Sequence, residues 1–161
     1  MSAPDAIRRR LLRGLAAAPL AAFAPRAEAR DYASAAEVFA EIDRLEVDLD
    51  ARLGALAAAV PAAAPMVRSF RADHDRHRRA RAGLRGRLGA GSPPAVSASP
   101  GGPHTLADLR DLAQELVHAY AEGLPALRDA RAVDVLARHM VDGARHLAVL
   151  QMWAEAEGLD G

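Results

Sequence analysis

The sequence of 161 residues contains no cysteine, no lysine and no asparagine, and aromatic residues make up only 4% of it. The absence of cysteine excludes disulfides, iron–sulfur clusters and zinc sites with thiolate ligands. Because aromatic residues are scarce and much of the 51% apolar fraction is alanine, close-packed helices are favoured over a sandwich of β-branched strands. This length is typical of one domain with a sizeable core.

Charge is balanced at 21 basic and 21 acidic residues, and every basic residue is arginine. Residues 1–29 hold five of the arginines and two of the acids, which leaves 16 basic and 19 acidic residues in the remainder. We expect no basic stripe on this mildly acidic remainder, and phosphate binding requires clustered positive charge. The charge pattern therefore predicts no nucleic-acid partner.

The first 29 residues have the three parts of an export signal in their usual order. They are the RRRLLRG motif at residues 8–14, an apolar stretch at 15–23 that is too short to cross a bilayer, and a small-x-small site at 27–29. The motif resembles the twin-arginine export signal. That resemblance implies contact with the twin-arginine export machinery, a periplasmic or otherwise exported mature protein, and no stable membrane span. The alternative interpretation is an arginine-rich amphipathic surface helix.

Four helices are predicted from apolar residues that recur at three- and four-residue spacing. Ser34 with Glu37, and Thr105 with Asp108, are capping-box pairs that open the first and third helices. Pro125 is expected to kink the last turns of the third helix. The predicted helices cover residues 35–59, 66–88, 106–127 and 132–157.

The segment between the second and third helices decides the predicted topology. Residues 89–104 read GAGSPPAVSASPGGPH and have no periodicity. A helix of about 25 residues spans roughly 38 Å, whereas 16 extended residues reach roughly 53 Å. One long crossover between two tight hairpins is the arrangement of ferritin-like bundles. The sequence therefore predicts that residues 30–161 form one all-α domain, a four-helix bundle of ferritin-like topology.

Polar residues inside the apolar stripes of the first two helices are candidate functional groups, because burying them is costly without a partner. Glu46 falls within the stripe of the first helix. His74, His77 and Arg81 share the inner face of the second helix. Four other acidic residues of the first helix are expected to point away from the core: Glu41, Asp43, Asp48 and Asp50.

The last two helices add a second group of candidates. His139, Asp142 and His146 share one edge of the fourth helix, beside its apolar stripe. Glu115 lies beside the stripe of the third helix, and His118 is expected to face solvent. Imidazole and carboxylate groups from facing helices are the ligands that iron, manganese or zinc require. The open alternative is that these buried groups only pair with one another.

Three segments, residues 70–91, 112–124 and 138–150, resemble the second, third and fourth helices of exported ferritin-like proteins. In the iron-binding members of that family, the first and third helices each give a glutamate, and the second and fourth each carry Glu-x-x-His. On that pattern Glu46 and Glu115 match the single glutamates, and His77 and His146 match the two histidines.

The sequence departs from this family pattern at both bridging carboxylates. His74 and Gly143 occupy the positions of the two expected glutamates, so a paired-iron centre of the usual composition is not predicted. What the resemblance still implies is an altered, histidine-rich site for iron, manganese or zinc, or a bundle without metal. The candidate metal ligands are Glu46, His74, His77, Glu115, His139, Asp142 and His146.

Three hypotheses of function follow from these observations. The first is an exported ferritin-like protein that binds a transition metal, for which a metal-dependent oxidoreductase is the enzymatic form. The second is a metal-free helical bundle with a structural or interaction role in the cell envelope, and the third is a hemerythrin-like oxygen binder. No catalytic constellation is recognised. Met152 and Trp153 are the candidate surface for a homodimer, and the alternative, which is more common for such residues, is that they pack on the end of the bundle.

Overall fold

The computed structural model describes residues 30–92, 95 and 105–157, so the predicted signal segment lies outside the described residues. The described residues form four α-helices and contain no strand. None of these described helices is both long and apolar enough to cross a membrane. The predicted all-α, four-helix fold is confirmed. The helices are α1 (Ala35–Ala59), α2 (Ala64–Leu88), α3 (Leu106–Gly123) and α4 (Ala130–Glu157), with 3₁₀ turns at Pro61–Ala63 and Leu124–Ala126.

Side-chain caps fix where three of the helices begin. Ser34 Oγ accepts a hydrogen bond from the backbone amide three residues later, over 3.3 Å, and Thr105 with Asp108 forms a complete capping box. Asp129 accepts from the amide of Ala132 at 2.8 Å. This third cap was not predicted, and it starts α4 two residues before the expected position.

The third helix is shorter than predicted because of Pro125. The apolar spacing predicted a kinked helix through Leu127, but α3 ends at Gly123 and a 3₁₀ turn follows. Proline has no amide hydrogen, and its ring clashes with the carbonyl four residues earlier, so the α-helix stops. The predicted extension is wrong, although Leu127 is still buried.

Each helix packs mainly against two others, with α1 and α4 each contacting both α2 and α3. The contacting helices run antiparallel. The end of α3 meets the start of α1, where a Cβ on Gly123 would lie 2.5 Å from Val38 Cγ1. Near the other seam, Arg87 at the end of α2 pairs with Asp129, just before α4. A side chain at position 123 would therefore force Val38 or the helices to shift.

The predicted apolar stripes meet along the axis of the bundle. The predicted stripe of the first helix is buried except for Leu56, which is half-buried; its buried members are Val38, Ile42, Leu45, Leu49 and Leu53. Tyr120 joins this core although its hydroxyl needs a hydrogen-bond partner there. The side chains with 0 or 1% exposure include Val38, Phe39, Ile42, Leu45, Leu49, Leu53, Leu109, Leu116, Leu136, Leu147 and Leu150.

Candidate functional site

Arg81 of α2 is fully buried and pairs with two carboxylates of α1. Its Nε and Nη2 donate to Asp43 Oδ1 at 2.9 and 2.7 Å, and its Nη1 donates to Glu46 Oε1 at 3.0 Å. Arg85, one turn later, donates to the other oxygen of Asp43 at 2.6 Å. Tyr120 Oη donates to Glu46 Oε1 at 2.6 Å. Two guanidinium groups and two carboxylates therefore balance in charge inside the bundle.

This network sets the ionisation of its members. Burial alone would raise the pKa of Glu46, but the charge of Arg81 holds that pKa well below its ordinary value. Burial would lower the pKa of Arg81, but the charge of Glu46 keeps it above its ordinary value. Burial raises the pKa of Tyr120, and the charge of Glu46 raises it further. Glu46 is therefore an ionised carboxylate whose oxygens already accept hydrogen bonds from Arg81 and Tyr120.

Four buried histidines lie side by side between α2 and α4, and we call them the histidine row: His146, His74, His77 and His139. Their exposed fractions are between 1 and 6%. The rings of His77 and His139 stack, with centroids 3.9 Å apart. The ring of His74 lies edge-on to that of His146 at 5.2 Å and 6.1 Å from that of His77. Phe70 closes one end of the row by stacking on His146 at 4.0 Å.

A carboxylate holds one ring nitrogen of three of these histidines. Because an ionised carboxylate only accepts hydrogen bonds, the ring nitrogen that faces it carries the hydrogen, and in a neutral ring the opposite nitrogen then has the free lone pair. The three pairs are Asp50 Oδ1 with His74 Nδ1 (2.7 Å), Asp73 Oδ2 with His146 Nε2 (2.9 Å) and Asp142 Oδ2 with His77 Nε2 (3.3 Å).

The opposite nitrogens of the row have no hydrogen-bond partner within the described part of the chain. His77 Nδ1 comes within 3.5 Å of Glu46 Oε1, which is too long for a well-formed hydrogen bond. A buried polar atom left without a partner typically costs about 1–3 kcal/mol, so four in one place call for an explanation. The buried, unpartnered atoms are His74 Nε2, His77 Nδ1, His139 Nδ1 and His146 Nδ1.

An arginine in turn holds each of the three carboxylates. Each arginine, with its aspartate and histidine, thus forms a hydrogen-bonded triplet. The side chains of Arg76 and Arg145 are 62 and 63% exposed, so two of the triplets begin at the surface and end in the histidine row. Each arginine–aspartate pair is neutral and therefore orients its imidazole without adding net charge. The pairs are Arg78 Nη1 with Asp50 Oδ2 (2.8 Å), Arg145 Nη1 with Asp142 Oδ1 (3.0 Å) and Arg76 with Asp73.

Burial keeps two members of the row neutral at neutral pH. It lowers the pKa of His139 to about 3, and the charge of Arg81 acts in the same direction. It lowers the pKa of His146 to about 4, although the hydrogen bond to Asp73 opposes this change. Burial would raise the pKa of Asp73, but its hydrogen bond with His146 keeps that pKa below its ordinary value. Neutral imidazole is the form that binds metal ions.

Of the predicted ligand candidates, Glu115 lies outside this region. It belongs to α3 and forms an ion pair with Arg30. It also lines an open polar cleft together with Arg52 of α1 and His118. His118 was predicted to face solvent, but it is half-buried, and its Nε2 has no partner among the described residues. The other candidates lie in or beside the row: Glu46, His74, His77, His139, Asp142 and His146.

Three acidic residues of α1 that were predicted to point away from the core are buried, namely Asp43, Asp48 and Asp50. A helix in a four-helix bundle contacts two neighbours, so its buried arc is wider than its apolar stripe. The spacing of Asp43 and Asp50 relative to Glu46 could have identified these two as inward-facing. Asp43, Glu46 and Asp50 stand at relative positions zero, three and seven, which places them on one helix face, as in the predicted group on the fourth helix.

These residues do not fit the paired-iron centre that the ferritin-like resemblance implies. The oxygens of Glu46 are engaged in the arginine network, and Glu115 lies elsewhere. Gly143 occupies the position of a bridging glutamate, and a Cβ there would lie 3.4 Å from Val117 and 3.5 Å from Tyr120. Val117 and the aromatic ring of Tyr120 therefore lie at ordinary contact distance from this position, which carries no carboxylate.

As the side chains stand, no group of three or more histidine, aspartate or glutamate residues in the described ranges is positioned to hold a metal ion. Comparison of the chain with protein-family models, with curated proteins and with solved structures finds no match. The function must therefore be inferred from the residues themselves, and the histidine row is their most unusual feature.

Proposed function

We propose that this protein binds a transition-metal ion of the zinc or copper class in the histidine row. The observation that carries the proposal is that His74 and His146 are each held by a carboxylate on one nitrogen, while the opposite nitrogen is buried and unpartnered among the described residues. Histidines that bind metals typically donate their other ring N–H to a carboxylate or a carbonyl, which fixes the tautomer and orients the ring. This likeness to metal ligands with a supporting shell supports the proposal.

The donor types favour a metal that accepts imidazole ligands. Zinc, copper, nickel and iron bind imidazole well, whereas magnesium, calcium and manganese prefer oxygen donors. The carboxylates next to the histidine row are engaged by arginines. The ligand atoms that the row can offer a metal ion are therefore mainly imidazole nitrogens. Of the metals that the sequence suggested, zinc fits this donor set better than manganese or a pair of irons.

Metal binding in this row requires some of the rings to turn. A zinc–nitrogen bond is about 2.0–2.1 Å long, so two nitrogens on one ion are at most about 4 Å apart. The ring centroid of His74 lies 5.2 Å from that of His146 and 6.1 Å from that of His77. Small rotations about the soft χ2 torsion, in which each aspartate follows its ring, can bring two ring nitrogens to the separation that one ion requires. His77 and His139 would have to unstack, because parallel rings do not direct their lone pairs at one ion.

We also propose that the four helices are connected in ferritin-like topology. Because α2 and α3 each run antiparallel to α1, the two are parallel to each other, which supports a connection through residues 89–104 that returns along the bundle, as in ferritin-like topology. We further propose that residues 1–29 direct export through the twin-arginine pathway. Replacement of Arg8 and Arg9 by lysine is expected to retain the protein in the cytoplasm, as measured by cell fractionation.

Metal retention by histidine variants of the full chain tests the proposed function. After loading with Zn²⁺ or Cu²⁺ and desalting, elemental analysis is expected to find about one ion per chain in the wild type. His146→Ala is expected to lose the ion. His118→Ala, which removes a half-buried imidazole outside the row, is the matched control and is expected to keep it. Less than about a tenth of an equivalent in the wild type, or equal retention in both variants, would overturn the proposal.

The second candidate function is a metal-free structural bundle. It is favoured by the saturated network around Arg81 and by the absence of a preformed three-ligand group in the described part of the chain. The two candidates differ in one measurement. A metal that binds only the native state raises the free energy of unfolding by about 2.7 kcal/mol at a hundred times its dissociation constant, whereas stability that is unchanged by added metal and by a chelator supports the structural role.

A further inference from the structure

The outer face of α2 carries a line of arginines that the overall charge balance does not reveal. Its first and last members are nineteen positions apart, which corresponds to about 28 Å along the helix. Asp75 is the single exposed acid on this helix. The expectation that the chain has no basic stripe is therefore wrong. The exposed residues that form this arginine face are Arg68, Arg71, Arg76, Arg79 and Arg87.

The ion pairs on α2 leave part of this charge available. Arg76 pairs with Asp73 of the same helix, and Arg87 reaches Asp129 at 3.4 Å. The remaining three members, at positions 68, 71 and 79, form no ion pair with any carboxylate in the residues that the structure describes. Their guanidinium groups can therefore reach an external anion without breaking an ion pair within the described bundle.

We propose that the arginine face docks the protein reversibly on an anionic phospholipid surface. The three guanidinium groups that form no ion pair lie within about 80° of one another around α2, so together they can face a plane of phosphates, which arginine binds through two hydrogen bonds at once. Residues 30–161, with the arginine face included, carry 16 basic and 19 acidic side chains. The part of the molecule outside the arginine face is therefore acidic. A negative surface therefore repels the rest of the molecule and turns α2 towards the lipid.

The composition of this face also argues against single-stranded nucleic acid as the ligand. Such strands bind through stacking of bases on exposed aromatic rings as well as through charge. The one aromatic residue of α2 is Phe70, which is buried against His146. The same lack of exposed aromatic or large apolar groups on α2 means that the attachment is electrostatic and therefore sensitive to salt.

Co-sedimentation with lipid vesicles tests this proposal on the full chain. The test variant is Arg68→Gln/Arg71→Gln/Arg79→Gln, and the matched control is Arg128→Gln/Arg131→Gln/Arg138→Gln, which removes the same charge from exposed positions just before α4 and in its first three turns. Each arginine near an anionic surface strengthens partition about fivefold, so the test variant is expected to bind about 100-fold more weakly. The control is expected to change by less than about threefold. Residues 1–29 are common to both variants, so the comparison isolates α2.

The vesicles contain phosphatidylglycerol mixed with phosphatidylcholine, with pure phosphatidylcholine as the neutral reference. Binding to the anionic vesicles alone, and its loss at high salt, are the expected results. Equal weakening in both variants would overturn the proposal, because only total charge would then matter. Preference of the wild type for a single-stranded oligonucleotide over the vesicles would overturn it as well. Circular dichroism is expected to show unchanged helicity in both variants, because all six positions are exposed.

Discussion

Removing one partner of the buried pair Arg81 and Glu46 is expected to destabilise the protein more than removing both. Glu46→Gln leaves two guanidinium groups facing the single carboxylate of Asp43, and Arg81→Met leaves an excess negative charge beside Tyr120. Each single variant therefore holds one unbalanced buried charge, because all of these side chains have low exposure. In the double variant the remaining ion pair, Arg85 with Asp43 at 2.6 Å, is neutral.

The size of the effect follows from the cost of an uncompensated buried charge. Breaking such a pair from one side costs about 3–5 kcal/mol, whereas replacing the whole pair by groups of similar volume is often close to neutral. Independent effects would sum to about 6–10 kcal/mol in the double variant. We expect its loss to be smaller than that of either single variant, which corresponds to a coupling of about 3 kcal/mol or more.

Urea denaturation of the metal-free chain, followed by far-ultraviolet circular dichroism, measures these free energies of unfolding. The control cycle uses Arg138→Met and Asp134→Asn, an exposed pair within α4 at 2.9 Å, whose coupling is expected to be below about 0.5 kcal/mol. If the buried cycle is additive within about 0.5 kcal/mol, the guanidinium of Arg81 is hydrated and the charge balance described above has no energetic role.

Three further predictions concern packing, acidity and capping. Gly123→Ala is expected to destabilise the chain by about 1–3 kcal/mol, because the new Cβ would meet Val38 at 2.5 Å; Gly86→Ala, with no atom within 4 Å of its new Cβ, is the control and is expected to stabilise by up to about 1 kcal/mol. The pKa of His139 is lowered from 6.5 to about 3, so the unfolded chain binds a proton at this residue before the folded chain does. The free energy of unfolding is therefore expected to fall as the pH drops from 6.5 towards 3, by about 1.4 kcal/mol per pH unit. His139→Leu should flatten that fall in acid titrations of stability, and an unchanged slope would contradict the assignment. Thr105→Ala is expected to cost about 1 kcal/mol in the same urea assay, because it removes the Oγ1 that accepts from Asp108 N at 3.1 Å and donates to Asp108 Oδ2 at 2.9 Å.

Local signals in the sequence were sufficient for most helix boundaries. The caps at Ser34 and Thr105 are decided by residues three positions apart, so the sequence alone predicts them. The end of α3 depended on a choice between two effects of Pro125, a kink or a stop, and the apolar Leu127 suggested the wrong one. A buried position does not require a helix, because a 3₁₀ turn also brings Leu127 to the core.

The site was harder to predict because its pairs join different helices. The inward direction of His74 and Arg81 followed from periodicity, and both are buried. Their partners on α1, Asp50 and Asp43, were missed because pairing across helices depends on how far each helix is rotated about its own axis. The prediction that Glu46 points inward is confirmed, but its contact with Arg81 makes it part of the ion network. Its proposed role as a ligand found no support in this geometry.

Two of the four helix–helix seams in the described bundle, α1–α3 and α2–α4, differ in what joins them, and this difference has a consequence for dynamics. At the α1–α3 seam, Gly123 lets the backbones approach closely over Val38. At the α2–α4 seam, stacked rings and hydrogen-bonded charges bridge the helices. Water can replace hydrogen bonds more readily than it can replace apolar packing. We expect amide hydrogen exchange to be faster along α2 and α4 than along α1 and α3, so an ion could enter through transient breathing of one seam while the opposite half of the molecule stays folded.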